Sequence, residues 1–264
     1  MQKILLAMNA RTPGNKALEF ACFLAKLTRS KITGTILENE GDTMMVLAEN
    51  KRDAVDEKAI RNTIQWFEQK CITEEAKHDF HTDQGMPLSE LIAESRFADI
   101  IVIDPETSFS GSTESVPTKF VKDFLHYSEC PVVVAPQQFE GIDEIVLAYD
   151  GSASSAFAIR QFSYLFPQLS NRKLTILNVS SDGQVKGKQK HQFTCWLKEH
   201  YTNFHFVELP GEPGTALFDF LLRKENIFFV IGAYGRNMIS QIFQRSRAEL
   251  VIKAIPLATF IAHR

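Results

Sequence analysis

The chain repeats itself at long range. Ile4-Leu5-Leu6-Ala7-Met8-Asn9 returns as Ile145-Val146-Leu147-Ala148-Tyr149-Asp150, 141 residues later. The run from Ala98 to Asp104 returns as Asn226 to Gly232 at an offset of 128, and Cys130 to Ala135 is matched by Ile255 to Phe260 at about that spacing. The shrinking offset means that the second copy has a shorter middle, in the Lys/Gln/Gly-rich segment 181–190. Two copies of one domain account for this, and 264 residues suit two modest domains. The punctuation Pro136-Gln137-Gln138-Phe139-Glu140-Gly141 reads as a short linker, which divides the chain into 1–138 and 139–264.

Within each copy, short apolar runs alternate with stretches of helical periodicity, the pattern of βαβ units on a parallel sheet. Strands are predicted over 3–8, 31–37, 77–82, 99–103 and 131–135, then 144–149, 173–179, 203–208, 227–231 and 257–262. Helices are predicted over 14–28, 50–71, 87–96 and 118–128, then 152–166, 187–200, 214–224 and 241–253. Ser152 is placed to cap the helix that follows it, and Pro87 and Pro213 open helices where a missing N–H costs nothing. Right-handed crossovers make each half a doubly wound, five-stranded α/β layer with its crevice at the carboxyl ends of the strands.

Composition removes several function classes. With 29 Lys and Arg against 32 Asp and Glu, there is no basic footprint for nucleic acid or an anionic membrane. No apolar run approaches the ~18 residues of a membrane span, and the first nine residues read as a strand rather than a signal peptide. A cytoplasmic protein is expected. Cys22, Cys71, Cys130 and Cys195 lie 49 to 65 apart, without metal-ligand spacing, and read as reduced and mostly buried. The 21 Phe residues read as core.

The loop after the fourth strand of the second half carries the chemistry: Gly232-Ala233-Tyr234-Gly235-Arg236, continuing to Arg245-Ser246-Arg247. Two glycines three apart let backbone approach a ligand, and a following helix offers free N–H groups to phosphate. A tight turn before a helix would use the same residues.

Asp150-Gly151-Ser152 after one strand and Gly232-x-x-Gly235-Arg236 after another, in two βαβ halves, resemble the universal stress protein family, and in particular its tandem members. The resemblance covers nearly all of both halves, with the motif only in the second. It implies the adenine nucleotide alpha hydrolase-like fold and a stress-response or signalling module that binds ATP or another adenine nucleotide without turning it over. By that resemblance Asp150 and Ser152 sit at the adenosine end and Val179 lines the adenine pocket. Gly232, Gly235 and Arg236 border the ribose and phosphates, and Arg245 and Ser246 meet the terminal phosphates. The family has glycine where this chain has Arg245. The side chain either blocks close approach or clamps a phosphate. The halves are implied to pair through their last strands as an intramolecular pseudo-dimer, with a homodimer of chains as a further level.

The first half departs from the pattern. Asn9 stands at the place of Asp150, Asp104-Pro105 replaces the first glycine, Pro117-Thr118 matches Arg245-Ser246, and Gly111-Ser112 falls six residues early. A structural partner domain without nucleotide is expected there. His78 and His81, three apart on a strand, point to opposite faces and make no metal pair; no metal-ligand residues are assigned, and the resemblance leaves a metal with the nucleotide open at the Asp150 end. The loop has no lysine to neutralise a transferring phosphate, which counts against rapid phosphoryl transfer. An interaction protein with two vestigial pockets is the alternative reading, and a slow ATP hydrolase a third.

Overall fold

The apolar runs become parallel strands in each half of the chain. A computed structural model describes residues 1–11, 13–39, 53–110, 112–178, 187–209, 213–232 and 257–262. The chain divides into two units, Met1–Ala135 and Pro136–Arg264, so the division falls at the start of the expected linker.

In the first unit, β1 (Lys3–Asn9), β2 (Lys31–Asn39), β3 (His78–Gly85), β4 (Ile100–Ile103) and β5 (Val132–Val134) lie in the order β3-β2-β1-β4-β5. Every pairing is parallel, with Leu6 opposite both Gly34 and Val102. Helices α1 (Asn15–Thr28), α2 (Asp53–Thr73), α3 (Pro87–Ser95) and α4 (Lys119–Tyr127) make the crossovers. Both faces of a doubly wound sheet are covered. Central strands therefore lose their polar alternation, and Ile4 to Met8 and Ile100 to Ile103 are buried without a break.

The second unit repeats the plan. Strands β6 (Glu144–Tyr149), β7 (Lys173–Asn178), β8 (Phe204–Glu208), β9 (Ile227–Gly232) and β10 (Ala258–Ala262) lie in the order β8-β7-β6-β9-β10, again all parallel. Its described helices are α5 (Ala153–Leu165), α6 (Gly187–His200) and α7 (Pro213–Leu221). The helix expected over 241–253 lies outside the described residues. A single 3-10 turn, Pro167–Leu169, follows α5 and was not legible from the periodicity.

Phenylalanine is core mass here, as its abundance implies. Phe162 on α5 meets Phe166, Phe228 of β9 and Phe260 of β10 at centroid distances of 5.1, 5.0 and 5.3 Å, the last two edge to face. The cysteines differ from their reading in part: Cys22 and Cys71 are buried, Cys130 is half-buried and Cys195 is exposed.

A buried carboxylate anchors the amino ends of the second sheet. Glu144 accepts from Lys224 Nζ at 2.7 Å and from the Thr175 hydroxyl, with Lys173 Nζ at 3.3 Å. Burial would raise its carboxyl; the hydrogen bonds from Lys224 and Thr175 outweigh burial and hold it below the ordinary carboxylate range. A depressed folded pKa contributes stability that is complete at neutral pH and is lost as pH falls through the folded value. Glu144→Gln should therefore cost about 1–3 kcal/mol near neutrality, the range for hydrogen bonds to a charged group. Urea midpoints of variant and wild type should converge as acidification protonates the Glu144 carboxylate, below the ordinary carboxylate range. A gap that widens in acid would contradict this.

Candidate functional site

Asp150 is the first residue after β6 and Gly232 the last of β9. These strands pair in parallel, with Leu147 opposite Val230, so the two residues emerge side by side. From β6 the chain goes to β7 on one side and returns to β9 on the other. The crevice between β6 and β9 is thus the switch point of the sheet, where ligands of open α/β folds bind.

The Asp150 carboxylate organises the turn into α5. Its Oδ1 accepts the N–H of Ser152 at 2.8 Å and the hydroxyl of Ser155 at 2.7 Å, and Ser152 Oγ caps the helix by accepting the N–H of Ser155 at 3.1 Å. Burial opposes the charge on Asp150, but the hydrogen bonds from Ser152 and Ser155 hold its carboxyl below the usual range. It is a carboxylate at neutral pH. Ser152, a candidate ligand residue from the sequence, is engaged as the helix cap.

Gly232 has a packing reason to be glycine. A Cβ there would lie 2.6 Å from the carbonyl oxygen of Ser154 and 2.8 Å from the amide nitrogen of Ser155. The strand end and the first turn of α5 therefore meet backbone to backbone. The same feature leaves this rim without a side chain.

Sequence reasoning passed over the aromatic pair beside the rim. Tyr149, the last residue of β6, stacks on Phe193 of α6 with centroids 4.0 Å apart and planes at 26°. The Phe193/Leu197 spacing on α6 marks an inward stripe, but which strand end it covers depends on the crossover. Val179, Gly235, Arg236, Arg245 and Ser246 lie outside the described residues.

The first unit arranges the equivalent positions differently. Asn9 keeps the turn, its Oδ1 accepting the N–H of Arg11 at 2.8 Å as Asp150 does for Ser152. Its Nδ2 donates to the carbonyl of Ser108 at 2.6 Å, which ties the loop after β4 to the end of β1. Asp104 accepts the N–H of Glu106 at 2.9 Å and lies against Gly14, the residue before α1. A Cβ on Gly14 would come within 3.1 Å of both the Asp104 Cβ and Oδ2, and its φ of +76° is itself a glycine conformation. Burial pushes the Asp104 carboxyl up. Thr118 caps α4, accepting the N–H of Val121 at 3.3 Å, while its hydroxyl donates to the Thr107 carbonyl. Glu114 accepts the Lys119 N–H at 3.2 Å and the Ser108 hydroxyl. Asp104, at the place of the first glycine of the motif, packs on the start of α1.

The histidines have structural partners. His78 stands edge-on to Phe67, 5.7 Å between centroids, while His81 Nε2 lies 3.3 Å from Thr35 Oγ1 and from Glu94 Oε2. In the second unit His205 of the edge strand β8 faces Thr175 of β7 at 3.1 Å, a cross-strand His–Thr pair set two residues earlier in the register than that of the first unit. Among the described residues no group of three or more His, Cys, Asp and Glu side chains could hold a metal ion, and no helix is long and apolar enough to cross a membrane.

Solved structures share this fold along the whole chain. A universal stress protein from Archaeoglobus fulgidus DSM 4304 is 17% identical, with 98% of this chain and 96% of that one covered and a TM-score of 0.72. A functionally unknown protein from Pseudomonas aeruginosa PAO1 is 12% identical, over 100% of this chain and 92% of that one, with a TM-score of 0.60. At such identities the likeness is one of fold. No family model matches the chain, and no curated protein does.

Proposed function

We propose that this chain is a tandem protein of the universal stress type, a cytoplasmic stress-response or signalling module. It takes one adenine nucleotide, or a similar phosphate-bearing anion, per chain. The ligand lies in the second unit at the β6/β9 switch point, against Asp150 and Gly232, with Val179, Gly235, Arg236, Arg245 and Ser246 completing the contacts.

The observation that carries this reading is the contrast between the two rims. In the first unit Asn9, Asp104, Glu114 and Thr118 are engaged with their own loop and helices. At the matching position of the second unit stands Gly232, where no side chain intrudes. A glycine at this position lets a phosphate approach backbone N–H groups closely. Without a lysine in the Gly232 loop the module holds its nucleotide rather than transfers phosphate from it.

Calorimetric titration with ATP should give one equivalent per chain. Gly235→Val should abolish binding, and Asn9→Ala should leave it unchanged. Arg245→Gly should weaken binding by about 1–3 kcal/mol, as expected when a charged hydrogen bond to phosphate is lost. Tighter binding by that variant would make Arg245 an obstruction instead of a clamp. Mass spectrometry of freshly purified, denatured protein gives an independent reading through the nucleotide it releases. An empty protein with no thermal shift on ATP would favour an interaction protein with two vestigial crevices.

A further inference from the structure

We propose that Cys22 and Cys71 form a redox-active dithiol, closed to a disulfide by peroxide, which staples α1 to α2 in the first unit. The argument is independent of the nucleotide crevice and starts from the seam between these helices. Lys70 of α2 reaches Glu19 of α1 at 3.5 Å, and Lys26 of α1 reaches Glu74, the residue after α2, at 2.8 Å. On α1, Cys22 lies between Glu19 and Lys26, three and four residues from each. On α2, Cys71 lies beside Lys70 and three residues before Glu74. Ion pairs on both sides thus hold the two helix faces together with Cys22 and Cys71 opposite one another between them. Both side chains are buried, at 1% and 0% exposure.

The pair is differentiated as an attacking and a resolving thiol. Hydrogen bonding from Cys71 lowers the Cys22 thiol against burial and the nearby Glu74 carboxylate, with Lys70 and Lys26 assisting. The same bond and burial push Cys71 up. A thiolate stabilised by a neighbouring thiol and by lysines is the form that reacts with oxidants. The half-buried Cys130, by contrast, is pushed up to about 12 by burial.

Hydrogen peroxide is small enough to enter on slight opening of the seam. The Cys22 sulfur attacks one peroxide oxygen, an S–O bond forms as O–O breaks, and the departing hydroxide takes the thiol proton as water. The Cys71 sulfur then attacks the sulfenic sulfur, S–S forms as S–O breaks, and the second water leaves with the Cys71 proton. Two thiols are oxidised by two electrons and one peroxide is reduced to two waters.

The test uses the full chain carrying Cys195→Ser, which removes the exposed thiol. The protein is exposed to hydrogen peroxide, quenched with an alkylating agent in denaturant, and mapped without reduction. The expected product is a Cys22–Cys71 cross-linked peptide, two hydrogens lighter than its parts. A raised unfolding temperature that dithiothreitol reverses should accompany it. Recovery of Cys22 and Cys71 as alkylated free thiols would overturn the proposal, and so would separate sulfinic acids or pairing of either with Cys130. Cys71→Ser supplies a second arm: if it folds, peroxide should leave Cys22 as a sulfenic acid that dimedone traps. An untrapped, unmodified Cys22 in that folded variant would also count against the dithiol.

Discussion

Phe162→Ala should destabilise the second unit by about 3–5 kcal/mol, the range for removing a large aromatic side chain from a packed core. Phe162 is fully buried, and its ring contacts Phe166, Phe228 and Phe260 at once, two of them edge to face. Its loss removes transfer energy, leaves a cavity between α5 and the β9/β10 face, and breaks those ring contacts together. Hydrogen exchange is the discriminating measurement. Amides of β6, β9 and β10 should lose protection while those of β1 and β4 keep theirs, because the rings it touches all belong to the second unit. A loss shared equally by both sets would mean that the units unfold as one.

The second large effect is expected at Gly232. Any side chain there begins with a Cβ 2.6 Å from the Ser154 carbonyl oxygen, and the obstacle is backbone rather than a side chain that could swing away. Gly232→Val should cost about 3 kcal/mol, the upper part of the overpacking range, by forcing the first turn of α5 off the strand. The Asp150–Ser152–Ser155 hydrogen bonds sit on that turn, so they should loosen with it. Urea midpoints measure the first consequence. The second is visible as faster exchange of the Ser155 amide. An unchanged midpoint would show that α5 yields at no cost.

The strands were legible because a sheet covered on both faces needs unbroken apolar runs, and Ile4 to Met8, Ile100 to Ile103 and Ile227 to Ile231 are such runs. The cap at Ser152 was legible because capping is local: hydroxyl and amide are three residues apart. What escaped depends on residues far apart in the chain. That Gly232 is glycine because of Ser154 is a fact about two segments 78 residues apart. The closing of the first rim hangs on Asn9 and Ser108, which meet only once β1 and β4 are paired. The His81–Thr35 and His205–Thr175 pairs need strand register, which no periodicity supplies. The same limit hid Cys22 and Cys71, whose opposition comes from how α1 meets α2.

The glycines at the two strand–helix junctions carry a further consequence, one about descent. In the first unit the small residue is on the helix side, Gly14, and the strand bears Asp104; in the second the strand bears Gly232, and the helix side has Ser155, five residues past Asp150 as Gly14 is five past the matching Asn9. If both copies began as one, neither arrangement turns into the other by a single change without a clash: a Cβ added at Gly14 meets Asp104, and one added at Gly232 meets the backbone of Ser154. Trading the β4 and β9 ends between the copies would now set Asp104 against the α5 backbone, so the duplicated halves are no longer interchangeable parts.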